Sequence, residues 1–521
     1  MLVQFHDLLA AAAARRGEAP ALAARGGTVA YAPLWRDAAA VGGGLRELGL
    51  RRGDRVAVYL DKRIETVVAL FATSVAGGAF VPVNPLLRPP QVAHILRDSG
   101  ARVLVTSADR LALLRPVLPP SVEHAVVVGE RGADDDLPAP PHVHRWDALA
   151  DVAPATPRAG VDVDMAAILY TSGSTGKPKG VVLSHRNLLV GAASVCTYLR
   201  NDERDVILAA LPLSFDAGLS QITTAFHAGA QVVLLDYLLA GDVVRACARH
   251  RVTGLTGVPP LWIQLAALEW PAEATASMRY FANTGGRMPR ATLDRLRAIF
   301  PSAAPYLMYG LTEAFRSTYL DPAEVDRRPD SIGRAIPNAE VLVVRPDGSE
   351  CAPDEPGELV HRGPLVALGY WNDPERTAQR FRPSPVGDPA IPARDVAVWS
   401  GDLVRRDAEG FLYFVGREDE MIKTSGYRVS PTEIEEVAYE TGRVRDAAAF
   451  GVEDPELGQH IVLVVSARDG QALEPAHLLR ELRRQLPRYM VPRRVVVRAE
   501  LPRSPNGKLD RAALRAEVAA R

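Results

Sequence analysis

The chain has 521 residues, 47% of them hydrophobic and 24% charged, and its 61 Lys+Arg nearly balance 62 Asp+Glu to leave a net charge of −1. This is the composition of folded globular domains, roughly two to four at ~150 residues each. It excludes a disordered chain, and the balanced charge gives no general attraction to nucleic acid. Cys196, Cys247 and Cys351 lie far apart without a CxxC pair, which excludes a disulfide scaffold or a thiolate zinc site and fits a reducing, cytoplasmic setting.

The opening MLVQFHDLLAAAAARRG has no early basic region and is interrupted by His6 and Asp7, so it predicts a first helix and not a signal peptide. No apolar run reaches the ~18 residues that a membrane-spanning helix needs. Short β-branched runs at 55–60, 79–83, 101–107, 205–211, 231–236 and 340–345 alternate with longer Ala/Leu/Arg stretches of helical period. That alternation predicts α/β layers with largely parallel sheets. Segment 129–160, rich in Asp, Pro and Ala, reads as a surface excursion. After about residue 340, turn pairs separate short strands and predict an antiparallel region. From about 420 a compact α+β pattern follows: helix at 431–440, strand at 461–467, helix at 475–486 and strand at 493–500. A boundary near 416–420 divides the chain into 1–417 and 418–521. Residues 480–521 hold 12 Lys+Arg against 4 Asp+Glu, a solvated helix face or a surface that meets phosphates or an acidic partner.

Only five of the 61 basic residues are lysine: Lys62, Lys177, Lys179, Lys423 and Lys508. In a sequence so rich in Ala, Arg, Gly and Pro, a lysine that persists is expected where a compact, rotatable ammonium is needed. Lys62, in YLDKRIETV, reads as chance survival; the other four fall in turn-rich segments. Two of them lie in AAILYTSGSTGKPKGVVLSH (166–185), a strand, a hydroxyl- and Gly-rich loop, and a continuing strand. Gly173, Gly176 and Gly180 admit close approach of backbone N–H groups to an anion. Thr171, Ser172, Ser174 and Thr175 add hydroxyls, and Lys177 and Lys179 add charge. The spacing is too short for a Walker A loop, and Pro178 stands where a magnesium-binding hydroxyl would.

YTSGSTGKPKGV resembles the signature loop of the adenylate-forming superfamily, which includes acyl-CoA synthetases, firefly-type luciferases and the adenylation domains of nonribosomal peptide synthetases. YGLTE (309–313), SGDL (400–403), GREDEMIKTSGYRVSPTEIE (416–435) and PRSPNGKLDR (502–511) follow in the family's order. The resemblance spans nearly the whole chain. It implies an α/β fold: a large N-terminal domain of stacked sheets with helices, and a small mobile α+β lid turning about a hinge at Asp419. It further implies that ATP and Mg²⁺ are used, that an acyl-adenylate forms with release of pyrophosphate, and that a thiol then displaces AMP.

The resemblance also assigns residues. The loop from Thr171 to Lys177 grips the β- and γ-phosphates. Tyr309 lies against adenine, with Gly285 and Gly286 along its edge; Thr312 touches the α-phosphate, and Glu313 holds Mg²⁺. Asp402 accepts from the ribose hydroxyls, and Arg417 reaches the same side. Phe414 packs on adenine, or else in the core. Lys508 bridges the carboxylate and the α-phosphate, and Lys423, Gly426 and Arg428 line a channel for a phosphopantetheine arm.

LPLSFDAGLSQ (211–221) resembles the peptide-synthetase form of its motif, in which Asp216 pairs with a substrate ammonium. The rival reading is a helix N-cap. Arg316 occupies a pocket position from which it could clamp a second carboxylate; alternatively it points to solvent or pairs with a neighbouring Asp. Ala217, Ser220, Ala282, Thr284, Met308 and Ser317 complete the implied pocket. The expected enzyme is a stand-alone ligase. It activates an amino or β-amino acid and loads a carrier protein, as in polyketide macrolactam assembly. An acyl- or aryl-CoA synthetase and a non-catalytic binding protein are the alternatives.

Overall fold

A computed structural model describes residues 2–129, 140–171, 178–388, 390–392, 395–417, 421–468, 473–502 and 509–519. Arg55–Tyr59, Ala79–Pro82, Val103–Ser107, His124–Val128 and His142–Arg145 form a parallel ladder, which the antiparallel pair Met165–Thr171 and Lys179–Ser184 and the short edge strand Gly369–Tyr370 extend into an eight-stranded sheet. These strands read as continuous apolar runs because helices cover both faces. A second sheet of 14 strands carries a parallel run from Pro20–Ala24 to Ala304–Tyr309 and then turns antiparallel as far as Glu340–Val344. Between the two sheets, Tyr31–Glu47, Ile64–Val75 and Asp216–Ala228 bury one apolar cluster, where Phe71 packs against both Phe5 and Phe226.

The C-terminal part is a separate five-stranded sheet carrying the helices Pro431–Glu440 and Pro475–Gln485. Its longest pairing joins Val444–Asp454 to Gly458–Ala467. The sequence reading missed Val444–Asp454, because VRDAAAF is rich in alanine, which favours helix by itself. Here Ala447, Ala448 and Ala449 are fully buried, so tertiary packing decides. The excursion expected at 129–160 also holds regular structure. His142–Arg145 pairs in parallel with His124–Val128, and Trp146–Ala150 buries Trp146 and Leu149.

Candidate active site

The carboxyl ends of the parallel strands open into a cavity of about 1770 Å³ whose wall is completed by Lys423, Gly426, Arg428, Glu433 and Tyr489 of the C-terminal part. Open α/β sheets bind ligands at such strand ends. At one end, the turn Thr312–Ala314 follows the strand Ala304–Tyr309 and presents Thr312 and Glu313 to the cavity. Glu313 Oε1 accepts from Lys179 Nζ at 2.9 Å and from the Tyr370 hydroxyl at 2.7 Å. Burial opposes its charge, but Lys179, Arg428 and that hydroxyl outweigh burial and hold the carboxyl well below its usual range. An ionised, buried carboxylate is a hard oxygen ligand, and Mg²⁺ takes one or two of these together with substrate phosphates. Tyr370 escaped the sequence reading. It lies in the two-residue strand Gly369–Tyr370, brought to the site by pairing with Val181 and Val182, and no local motif marks it.

Tyr309 lines the cavity and donates its hydroxyl to the buried Asp402. Gly285, at φ +74°, and Gly286 line the wall beside Val258. Phe414 is 40% exposed and borders the cavity with Lys423 Nζ 5.6 Å from its ring centre, so it is not a core residue.

Elsewhere on the cavity wall, Asp216 opens its helix and accepts from Ala217 N at 2.7 Å, while Phe215 occupies the N-cap position. Gly218 makes this geometry possible, since a Cβ there would lie 1.9 Å from the Pro212 carbonyl oxygen. Asp216 Oδ2 also accepts from Arg316 Nη1 at 3.1 Å. The two residues expected to meet opposite charges on a substrate therefore meet each other. Burial raises the Asp216 pKa and Arg316 opposes the rise. Arg316 is 2% exposed and its Nε has no hydrogen-bond partner among the described residues. Phe315 turns it inward by adopting φ +58°, a costly conformation for a bulky residue, with its ring packed on Gly191.

Ala217, Thr284 and Met308 line the cavity with this pair, but three expected pocket residues do not. Ala282 precedes the cavity-lining Asn283 and points to the opposite face of its strand, into the core. Ser220 lies one helical turn below Asp216, against Thr224. Ser317 hydrogen-bonds His361 Nδ1 at 3.0 Å behind the strand. Lys62, read as chance survival, is instead a buried wall residue: Nζ donates to Ala210 O at 2.9 Å and Leu235 O at 2.6 Å. Ser172, Gly173, Ser174, Thr175, Gly176, Lys177, the Arg417 side chain, Asp419 and Lys508 lie outside the described residues.

Residues 9–371 match the family described as AMP-binding enzyme, and residues 433–508 match the AMP-binding enzyme C-terminal domain. The chain belongs to this family and is an AMP-forming acid–thiol ligase that uses ATP and Mg²⁺. It is 34% identical over 489 residues to a feruloyl-CoA synthase of an Amycolatopsis species, covering 93% of each chain. It is 31% identical to a long-chain-fatty-acid–CoA ligase of Salmonella typhimurium, covering 98% of this chain and 94% of that one. The o-succinylbenzoate CoA synthetase of Bacillus subtilis, as a double mutant bound with its product analogue OSB-NCoA, matches at 26% identity and a TM-score of 0.83 over 98% of both chains. The same synthetase in complex with its acyl-adenylate intermediate OSB-AMP matches with a TM-score of 0.69 over 99% of both chains. Among the described residues, no helix is long and apolar enough to cross a membrane.

Proposed function

We propose that the enzyme activates an amino or β-amino acid and passes it to the thiol of a phosphopantetheine arm, borne by a separate carrier protein or by CoA. In the first step the acid's carboxylate attacks the α-phosphorus of ATP and pyrophosphate leaves. Thr312 and Lys508 steady the charge that builds there, and a preorganised donor of this kind contributes roughly 3–4 kcal/mol. Glu313 would hold Mg²⁺, whose charge would offset that of the triphosphate. Asp402 receives the ribose, and Tyr309, Gly285 and Gly286 flank the adenine. In the second step, after the lid has turned near Asp419, the thiol attacks the acyl carbonyl and AMP leaves as the thioester forms.

The observation that carries the acid assignment is the buried Asp216–Arg316 pair at the cavity wall. A fatty chain would lie against this pair with no charge to offer it. A zwitterionic acid exchanges one ion pair for two, its ammonium on Asp216 and a second anionic or polar group on Arg316. The better match to the complex with a CoA product analogue supports a lid orientation suited to thiol transfer. A second reading, an acyl- or aryl-CoA ligase, is favoured by the names of the relatives.

Pyrophosphate release, followed over amino, β-amino, dicarboxylic, aryl and fatty acids, tests the acid; thioester formation with CoA or a carrier protein tests the acceptor. Amino or β-amino acids should be turned over fastest. Asp216→Ala should raise KM for them by a factor equivalent to about 2–5 kcal/mol, because it strands the surviving charges. Arg316→Ala should selectively weaken acids with a second carboxylate. If fatty or aryl acids with CoA outpace every amino acid, the acid assignment gives way to the second reading.

A further inference from the structure

Two buried polar side chains face the cavity from opposite domains, and in each one atom has no hydrogen-bond partner among the described residues. Asn84 follows the strand Ala79–Pro82 of the eight-stranded sheet; its Oδ1 accepts from Leu86 N at 3.0 Å, while its Nδ2 completes no hydrogen bond with the described residues. Glu433 lies in the first turn of Pro431–Glu440 in the C-terminal part, and its Oε2 likewise has no partner among the described residues. Both residues are more than nine-tenths buried and both line the cavity. Leaving such groups unpaired costs about 1–3 kcal/mol each, which makes them candidates for pairing with a ligand.

Two tyrosines link the groups. Tyr427 and Tyr489 stack with ring centres 3.7 Å apart, and Tyr427 also packs edge-on against Phe215. Asn84 comes close enough to the Tyr427 hydroxyl to oppose the burial that raises its pKa, and Glu433 lies beside Tyr489. Burial, with the charge of Glu436 adding to it, pushes the Glu433 carboxyl up to about 8. At neutral pH it is therefore largely an uncharged acid, whose carbonyl oxygen still accepts a hydrogen bond. The site thus offers the Asn84 N–H donor, the carbonyl acceptor and O–H of the neutral Glu433 acid, and a flat aromatic wall.

We propose that Asn84 and Glu433 together grip a secondary amide of the incoming phosphopantetheine arm, Asn84 Nδ2 donating to its carbonyl and Glu433 Oε2 accepting from its N–H. A secondary amide presents that complementary pair, and an amide crossing a buried passage must have both groups satisfied. The arm carries such amides in CoA and in a carrier protein alike. Because the two residues come from different domains, the grip exists only when the lid has this orientation. It positions the thiol and takes no part in adenylate formation. The proposal rests on the thiol-transfer step described above.

The test follows the two half-reactions separately, using the acid that best supports pyrophosphate release. Asn84→Ala and Glu433→Ala should each lower kcat/KM for CoA and for free pantetheine about tenfold, the equivalent of one net hydrogen bond. The double variant should lose less than the product of the two, since both groups hold one amide. Glu433→Gln, uncharged and of similar size, should keep most of the rate. For an amide-free alkanethiol, wild type and variants should react alike, and acid-dependent pyrophosphate exchange should not follow the loss. Equal losses with pantetheine and alkanethiol, or matching losses in pyrophosphate exchange, would overturn the grip while leaving the function standing. If the wild type forms the adenylate but acylates neither CoA, pantetheine nor a pantetheinylated carrier protein, the thiol step itself is wrong and the grip falls with it.

Discussion

At Lys62 one ammonium closes the seam between the two large sheets. Its Nζ meets Ala210 O, Leu235 O and, at 3.3 Å, Asp236 Oδ1, while its backbone N–H donates to Asp236 Oδ2. Three acceptors around one nitrogen suit a tetrahedral ammonium, whereas a guanidinium is planar and longer-reaching. That explains why lysine persists here in a chain with 56 arginines. Burial lowers its pKa and Asp236 pulls it back up, so the charge depends on that partner. Lys62→Met should strand the two carbonyls and lower stability by about 2–3 kcal/mol. Lys62→Arg keeps the charge but not the shape and should also lower the urea midpoint, with the slope unchanged. If the arginine variant unfolds at the wild-type midpoint, charge alone is what the site needs.

At the scale of elements, the turn between Ile422–Thr424 and Tyr427–Val429 sets how closely the lid approaches the large domain. Gly426 sits there at φ +80°, and a Cβ would come within 2.6 Å of Val258 Cγ2. Val258 leads into the helix Pro259–Ala266, so its backbone cannot retreat freely. Gly426→Ala should therefore slow thioester formation tenfold or more and change pyrophosphate exchange little. Adding Val258→Ala should recover part of the loss by opening the space, leaving only the cost of the left-handed backbone, about 1 kcal/mol. Recovery to the full wild-type rate, or none, would show that the clash is not what limits approach. Gly426 was legible in the sequence because it falls in a motif, as were Glu313, Asp402 and Asp216. The strands were legible wherever β-branched runs formed them. Val444–Asp454 was not, because its alanines are buried by partners distant in the chain. Tyr370 and Asn84 were not either, since each reaches the cavity through pairing or packing that no local spacing encodes, and Glu433, though it lies in the same motif as Gly426, had no role assigned to it there. The Asp216–Arg316 contact spans 100 residues; the sequence raised it only as one alternative for Arg316.

The whole molecule carries its neutral histidines as joints between layers, and this ties its stability to pH. His185 Nδ1 accepts from Phe5 N at 3.0 Å and so fixes the first helix to the helix His185–Leu199. His361 lies fully buried in the strand Gly357–Arg362 and holds Ser317, the residue after Arg316. Burial lowers both pKa values from 6.5 to about 4. For His185 the charge of His6 adds to burial, against Asp164, Asp7 and Asp162. The unfolded chain therefore takes up each proton first. Each neutral histidine contributes its full share of stability above about pH 6.5 and loses it as pH falls towards 4. Between pH 7 and pH 5 that amounts to about 2 kcal/mol per histidine. Urea unfolding at a series of pH values should show the midpoint falling steeply below pH 6.5. His361→Gln, which keeps a polar group for Ser317 but binds no proton, should be less stable than wild type at pH 7 and should lose less on acidification. A wild-type midpoint that is flat from pH 7 to pH 5 would mean that these imidazoles are not held neutral. An unchanged slope in His361→Gln would move the acid sensitivity to His185 and the aspartates around it.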